Sequence, residues 1–106
     1  MPPIDIATVP EREIWPGYHA RPIHGDALSL MRVRIEAGAP LPRHQHHHEQ
    51  ATTVLTGRLR LVVNGETVEL GPGMTAFIPA NMPHEGIALE ATDVLDVFTP
   101  VREDFR

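Results

Sequence analysis

Apolar and polar residues alternate with a period of two along several stretches of the chain. In residues 31–36 three apolar side chains alternate with two arginines and a glutamate, and a similar alternation recurs in residues 58–63. Because side chains two residues apart share one face of a strand, this period predicts half-buried β-strands. The dipeptide Asn64-Gly65 predicts a type I′ hairpin, since both central residues of that turn need positive φ angles. We therefore expect strands at residues 31–35, 46–55, 59–63, 67–70, 74–78, 86–89 and 94–98.

Proline and glycine leave little room for helices. Eleven prolines and eight glycines divide the chain into segments of about five to ten residues, which is typical of a sandwich or barrel of short strands. Residues 46–55 could compete as a helix, but their β-branched side chains and the following Gly57 favour a strand. We predict a single all-β domain over residues 1–106, with N-terminal strands and an interface segment in 1–26 and the barrel core in 28–100.

The charge and the missing residue types exclude several classes of function. Nine cationic and fourteen acidic residues give a net charge of −5 at pH 7, which argues against nucleic-acid and acidic-membrane partners. The chain has no lysine and no cysteine, so a lysine Schiff base, a thiolate metal site and a disulfide are excluded. Any metal must be held by nitrogen and oxygen donors. The chain also shows neither a secretory signal nor a membrane-spanning stretch, so we expect a cytoplasmic protein.

Four of the seven histidines fall within five consecutive positions, in the segment His-Gln-His-His-His. On a strand, His44 and His46 would project from one face, and Gln50 would continue that face. His84 lies in a proline-bounded turn and could supply a fourth donor from a distant part of the chain. Glu49 is the alternative to Gln50, although alternation places it on the opposite face. The residues alone leave open a metal site or a solvated polar loop.

Two spaced motifs resemble the signature motifs of the cupin superfamily. The first reads Gly38, five residues, His44-Gln45-His46, three residues, Gln50, six residues and Gly57; the second reads Gly73, five residues, Pro79, one residue, Asn81, two residues and His84. The resemblance implies a double-stranded β-helix, or jelly-roll barrel, with one divalent transition metal ion (Zn, Ni, Mn, Fe or Co) per chain. The implied metal ligands are His44, His46, Gln50 and His84. Gln50 stands in place of the usual glutamate, and Asn81 stands in place of the usual glycine, whose left-handed backbone asparagine tolerates.

Two longer segments resemble the KdgF-type cupins of pectin and alginate breakdown. These are HQHHHEQATTVLTG, at residues 44–57, and LDVFTPVREDF, at residues 95–105. The resemblance implies an enzyme that converts 4,5-unsaturated uronates, which are small acidic sugars, into linear keto-uronates. It also implies glutamine as the third metal ligand. The active-site residues that it implies beside the metal are Asp96, Phe98 and Arg102.

The residues themselves leave the roles of Asp96 and Arg102 open. Alternation places Asp96 on one strand face with Val94 and Phe98, so its carboxyl group is either a tunable acid–base group inside the barrel or a solvated group outside it. Arg102 could bind a substrate carboxylate through two hydrogen bonds, or it could pair on the surface with Glu103 or Asp104.

The remaining candidate residues have structural interpretations. We expect Arg58 and Arg60 on a solvated strand face, Trp15 and Tyr18 at the barrel end or a subunit interface, and His19 and His24 in structural or exposed positions. His47 is ambiguous, and His48 could line the pocket. We also expect a homodimer, because a small all-β barrel has edge strands to protect. The segment predicted to form its interface contains Ile4, Ile6, Ile14 and Trp15.

Two other functions remain open on the sequence. One is an iron-dependent cupin oxygenase, since iron also suits imidazole ligands. The other is a non-catalytic cupin that binds a small acid or sugar.

Overall fold

Ten antiparallel strands account for most of the described residues, 2–106, of the computed structural model. Short 3-10 helices, Ile6–Thr8 and Glu103–Phe105, lie before and after them. The strands are β1 (Arg12–Trp15), β2 (Tyr18–His24), β3 (Ser29–Ile35), β4 (Pro40–His44), β5 (Glu49–Thr56), β6 (Leu59–Val63), β7 (Glu66–Leu70), β8 (Thr75–Ile78), β9 (His84–Ala88) and β10 (Thr92–Thr99).

The strands form two sheets that face each other across one core. The larger sheet has the order β1-β2-β3-β10-β5-β8, and the smaller sheet has the order β4-β9-β6-β7. Sequence neighbours such as β4 and β5 therefore lie in different sheets, and the chain crosses between the sheets repeatedly. This arrangement confirms the predicted all-β jelly-roll barrel.

Alternation along the strands builds the core. In β3 and β10 every second side chain is buried, and the two strands pair directly, with Val33 opposite Val94. The buried positions from both sheets form one apolar cluster. Its largest members are Tyr18, Met31, Val33, Ile35, Val54, Leu59, Leu61, Leu70, Ile78, Val94 and Phe98.

The hairpin and one strand end follow the local sequence signals. Asn64 and Gly65 have φ angles of 49° and 80° between β6 and β7, which confirms the predicted type I′ turn. Gly57, after β5, has a φ angle of 92°, and a Cβ there would lie 2.5 Å from the Ala91 carbonyl oxygen. A side chain at this position would therefore both strain the backbone and clash.

One strand prediction needs correction. The prediction of one continuous strand over residues 46–55 was wrong, because β4 ends at His44 and β5 begins only at Glu49. β4 pairs with β9 in the smaller sheet, whereas β5 pairs with β8 and β10 in the larger one. Residues 45–48 cross from one sheet to the other and cannot join either ladder.

The N-terminal residues cover one end of the larger sheet. β1 pairs with β2, and the Arg21 guanidinium donates to the Ala7 carbonyl oxygen over 3.2 Å.

Within residues 2–106 no helix is long and apolar enough to cross a membrane.

Candidate metal centre

Three histidine rings meet at one end of the barrel. His44 and His84 are register partners on β4 and β9, and their ring centroids lie 4.2 Å apart. The His46 ring, which comes from the crossing loop, has its centroid 5.7 Å from that of His44 and 5.0 Å from that of His84. The expectation that His44 and His46 share one strand face was therefore wrong, although the two rings do meet. His84 begins a strand instead of lying in a turn.

A backbone contact holds the crossing loop against the turn before β9. The Asn81 N–H donates to the His46 carbonyl oxygen over 2.7 Å, and Asn81 has a φ angle of 62°. This is the left-handed conformation that we expected asparagine to tolerate here. The contact ties the loop that carries His46 to the segment that leads into His84.

Hydrogen bonds to the backbone orient all three rings in the same way. Nδ1 of His44, His46 and His84 lies 2.9, 3.0 and 2.8 Å from the carbonyl oxygens of Pro42, His48 and Met82, respectively. A carbonyl oxygen only accepts, so Nδ1 carries a proton in each ring, and in the neutral form of the ring Nε2 offers a lone pair. Metal-binding histidines in proteins are oriented by the same kind of bond.

Gln50 brings an amide oxygen to the same place. It lies on the inward face of β5, whereas Glu49 is exposed. The Gln50 side-chain N–H donates to Thr52 Oγ1 over 2.8 Å, and its Oε1 lies 3.1 Å from His46 Nε2. Thr52 Oγ1 in turn donates to Asp96, so it must accept from Gln50, and the amide oxygen is the atom that faces the histidines.

These donors fit a divalent metal ion. One ring nitrogen from each of the three histidines lies within 4.8 Å of the others. His84 Nε2 is buried without a hydrogen-bond partner among residues 2–106. Burial, together with the Arg102 and His84 charges, lowers the pKa of His46 to about 4, so its neutral ring points a lone pair at the Gln50 oxygen. The His46 lone pair and the Gln50 oxygen are two acceptors that face each other, and His84 Nε2 is a buried nitrogen without a partner. A bound cation would stabilise both arrangements.

A carboxyl group lies one hydrogen-bonded step from this cluster. Asp96 faces the barrel interior from β10 and is only 9% exposed. Thr52 Oγ1 donates to Asp96 Oδ1 over 2.6 Å, and the Gln50 amide lies 3.5 Å from the same oxygen. Burial raises the pKa of Asp96 to about 6, against the lowering effect of these hydrogen bonds and of Arg102.

Thr52 is the residue of this group that the sequence interpretation missed. Its strand parity with Gln50 is the sequence signal that could have found it. Its position opposite Asp96 follows from the register of β5 and β10.

Arg102 combines the two environments considered for it. Its guanidinium binds Asp104 through two hydrogen bonds, Nε to Oδ1 at 3.0 Å and Nη2 to Oδ2 at 2.8 Å. The residue is nevertheless 9% exposed and lines the same cavity as the histidines. Phe98 lies between the histidine cluster and Arg102, with its ring centroid 5.8 Å from that of His46 and 4.6 Å from the Arg102 guanidinium carbon.

A cavity of about 420 Å³ is bordered by the metal-binding candidates and their neighbours, namely His44, His46, Gln50, Thr52, His84, Asp96, Phe98 and Arg102. Its polar side chains gather around the histidines, Asp96 and Arg102, and the rest of its wall is largely apolar. Trp15 and Tyr18 also line it, so placing them at the barrel end or at an interface was incomplete. The Tyr18 hydroxyl donates to the Ala39 carbonyl oxygen over 3.0 Å.

The other candidates lie outside the cavity wall. His48 is buried beside Phe98, with a ring-centroid distance of 6.3 Å, and does not line the cavity. His19 Nε2 lies 2.7 Å from Glu36, and His24 contacts Ser29. Arg58 and Arg60 are exposed and pair with Glu69, as expected for a solvated strand face.

Comparison with known proteins places this site in a family. The cupin domain family matches residues 31–98. The pectin degradation protein KdgF of Dickeya dadantii is 34% identical over 82 residues, which cover 76% of this chain and 74% of that protein. L-ectoine synthase of Mycobacteroides abscessus is 31% identical over 90 residues, which cover 79% of this chain and 69% of that protein.

A solved structure extends the likeness to the whole barrel. The structure of KdgF from Halomonas sp. superposes with a TM-score of 0.86 at 30% sequence identity, over 92% of this chain and 91% of that chain. The family match spans most of the barrel, and the relatives agree with it. The chain therefore belongs to the cupin family, as a small member that resembles KdgF.

Proposed function

We propose that this cupin is a metal-dependent enzyme that opens the ring of a 4,5-unsaturated uronate and yields a linear keto-uronate. The observation that carries the proposal is the arrangement within one cavity of a histidine cluster, a buried carboxyl group and a buried guanidinium. The likeness to the pectin degradation protein KdgF supports the substrate class.

In this proposal His44, His46, His84 and Gln50 hold the metal ion. All four donors are neutral, so the ion would keep its full double charge. Such an ion acts as a Lewis acid that polarises a bound oxygen. The sequence and the donor types are compatible with Zn, Ni, Mn, Fe or Co.

The reaction is an isomerisation, so it needs no oxidant or reductant. A proton leaves the anomeric hydroxyl, the bond between the ring oxygen and the anomeric carbon breaks, and an aldehyde and an enol form. The ring oxygen takes up a proton to form the enol hydroxyl. The enol hydroxyl then releases its proton while a proton is added to carbon, and the enol becomes a ketone, so atoms and electrons balance. The chain must therefore supply a group that moves a proton inside the cavity.

Asp96 is the proposed proton-transfer group. Its Oδ1 accepts from Thr52, whereas its Oδ2 makes no hydrogen bond within residues 2–106 and is not fully enclosed. Thr52 and Gln50 therefore fix the carboxyl group by one oxygen and leave the other available in the cavity. Arg102 would bind the substrate carboxylate, and the Phe98 ring would support the sugar between the two groups.

The test follows the ultraviolet absorbance of an unsaturated uronate mixed with metal-loaded protein. The conjugated signal should decay, and Asp96→Asn should slow the decay by about a hundredfold, which is typical for loss of a general acid–base group. Metal content and fold should be retained. Asp93→Asn is the matched control, because Asp93 lies on the same strand but pairs with Arg32 outside the cavity.

Other outcomes would reject the proposal. A near-normal rate in Asp96→Asn would remove Asp96 from the mechanism. Oxygen uptake by the iron-loaded protein without loss of the uronate signal would favour an oxygenase. Binding of the uronate without any turnover would favour a non-catalytic binding protein.

A further inference from the structure

The C-terminal turn, residues 101–106, is tied to the barrel beside the cavity. Ser29 Oγ accepts a hydrogen bond from the Arg102 backbone N–H over 2.8 Å. His24 Nδ1 lies 2.7 Å from Ser29 Oγ, and His24 Nε2 lies 3.1 Å from the Phe105 carbonyl oxygen. A neutral ring satisfies both contacts, with Nε2 donating to the carbonyl and Nδ1 accepting from the hydroxyl. Hydrogen bonds to His24 of β2 and Ser29 of β3 therefore hold the turn in place.

Phe98 of β10 and two residues of the turn, Asp104 and Phe105, contact the Arg102 guanidinium. The guanidinium carbon lies 4.6 Å from the Phe98 ring centroid and 4.3 Å from the Phe105 ring centroid, so aromatic rings contact it twice. Asp104 occupies the edge formed by Nε and Nη2. Stacked rings and a two-pronged carboxylate both restrict the rotation of a guanidinium plane.

This arrangement leaves one edge of the guanidinium free. Nη1 makes no hydrogen bond within residues 2–106, and it is not one of the fully enclosed side-chain atoms. Arg102 lines the cavity, and among residues 2–106 no partner takes up Nη1 or the second N–H of Nη2. These two groups match the spacing of a carboxylate.

We propose that Asp104 and Phe105 are positioning residues that fix this free edge of Arg102 and so make the cavity select ligands that carry a carboxylate. The inference deepens the proposed function and rests on it for the kind of acid, a uronate. If Asp104 instead competed with the ligand for Arg102, its removal would strengthen the binding of a carboxylate. Its side chain is 55% exposed, against 11% for Arg102, so water screens the aspartate charge far more than the guanidinium charge.

The experiment measures binding, not turnover. Calorimetry on the metal-loaded protein would compare D-galacturonate with D-galactose, which differ in the carboxylate. The wild-type protein should prefer the acid. Asp104→Ala and Phe105→Leu should each reduce that preference by about five- to tenfold, because the guanidinium must then be ordered at the moment of binding. Affinity for galactose and metal content should stay unchanged, and both variants should remain folded at the assay temperature.

Two further variants separate positioning from a general structural role. Glu103→Ala is the matched control, because Glu103 is an acid on the same turn that pairs with Arg106 and not with Arg102. It should keep the wild-type preference. Asp104→Glu retains a carboxylate and should keep most of the preference.

Three results would overturn the inference. These are tighter galacturonate binding in Asp104→Ala, an equal loss of affinity for both sugars, and a wild-type protein without preference for the acid. The proposed function can fail separately from this inference. If the protein did not turn over an unsaturated uronate, it could still prefer ligands with a carboxylate, and that preference would still depend on Asp104.

Discussion

Tyr18 should ionise well above its ordinary pKa, and no other side chain should obscure its titration. It is buried, and burial together with the Asp96 charge raises its pKa from 10.0 to about 12. The chain has one tyrosine, no cysteine and no lysine. Between the pH ranges in which histidine and arginine titrate, Tyr18 is therefore the one side chain that releases a proton.

The sign of the effect on stability follows from which state holds the proton. The folded protein keeps the Tyr18 proton over a pH range in which the unfolded chain has already lost it. Its contribution to stability is therefore fully present below pH 10 and is lost as the pH rises to about 12. Two pKa units correspond to about 2.7 kcal/mol in the free energy of unfolding, about half of which is lost midway through this range.

Two measurements on metal-free protein test this reasoning. Ultraviolet absorbance of tyrosinate gives the ionisation of the folded state, and urea unfolding at matched pH gives the stability. Tyr18→Phe should abolish the alkaline slope, and below pH 10 it should cost about 1 kcal/mol through the lost hydrogen bond to Ala39. A tyrosinate midpoint near 10 in the folded protein, or an unchanged slope in Tyr18→Phe, would refute the assignment.

Two more predictions concern the metal and the assembly. Protein purified without a histidine tag should bind one divalent ion per chain, and Gln50→Ala should weaken binding far more than Glu49→Ala, as measured by elemental analysis and calorimetric titration; the reverse ranking would make Glu49 the ligand. The protein should be a homodimer, with a light-scattering mass about twice 11.8 kDa. Ile4→Asp should shift the mass towards the monomer, because Ile4 is 56% exposed in the single chain and lies in the predicted interface segment. A monomeric wild-type protein at micromolar concentration would contradict this.

The fold could be predicted because its information is local. Alternation with a period of two marks β3 and β10, and Asn64-Gly65 marks the turn of the β6–β7 hairpin. Both signals act within a few residues, since side-chain direction and turn conformation are properties of short segments.

The assembly of the site could be predicted only in part, because its members meet through the pairing of distant strands. Parity places Gln50 on the inward face of β5, but it gave a wrong account of His46, which lies where the chain changes sheets. The meeting of His44 with His84 depends on the register of β4 and β9. No short-range pattern encodes that register.

Thr52 and Asp104 show the same limit from another side. Thr52 matters because the register of β5 and β10 places it opposite Asp96. The sequence offered Asp104 as a surface partner of Arg102, but it did not indicate that the pair would form on a guanidinium that also lines the cavity. A threonine in a strand and an aspartate near the end of a chain are ordinary features of a sequence. Their importance arises from hydrogen bonds that only the folded barrel creates.

The position of the carboxyl group relative to the metal ligands suggests why glutamine replaces glutamate. On the proposed ligand set, the four donors carry no charge, and the buried carboxyl group of Asp96 is linked to Gln50 through Thr52. A glutamate at position 50 would neutralise part of the ion's charge and would lie beside the Asp96 carboxylate, so that the two groups would repel each other. In the proposed mechanism, an amide at position 50 would leave the ion its full charge for polarising the substrate, and it would leave the Asp96 carboxylate free to carry a proton. The amide would thus separate two tasks that a single glutamate ligand could not perform together.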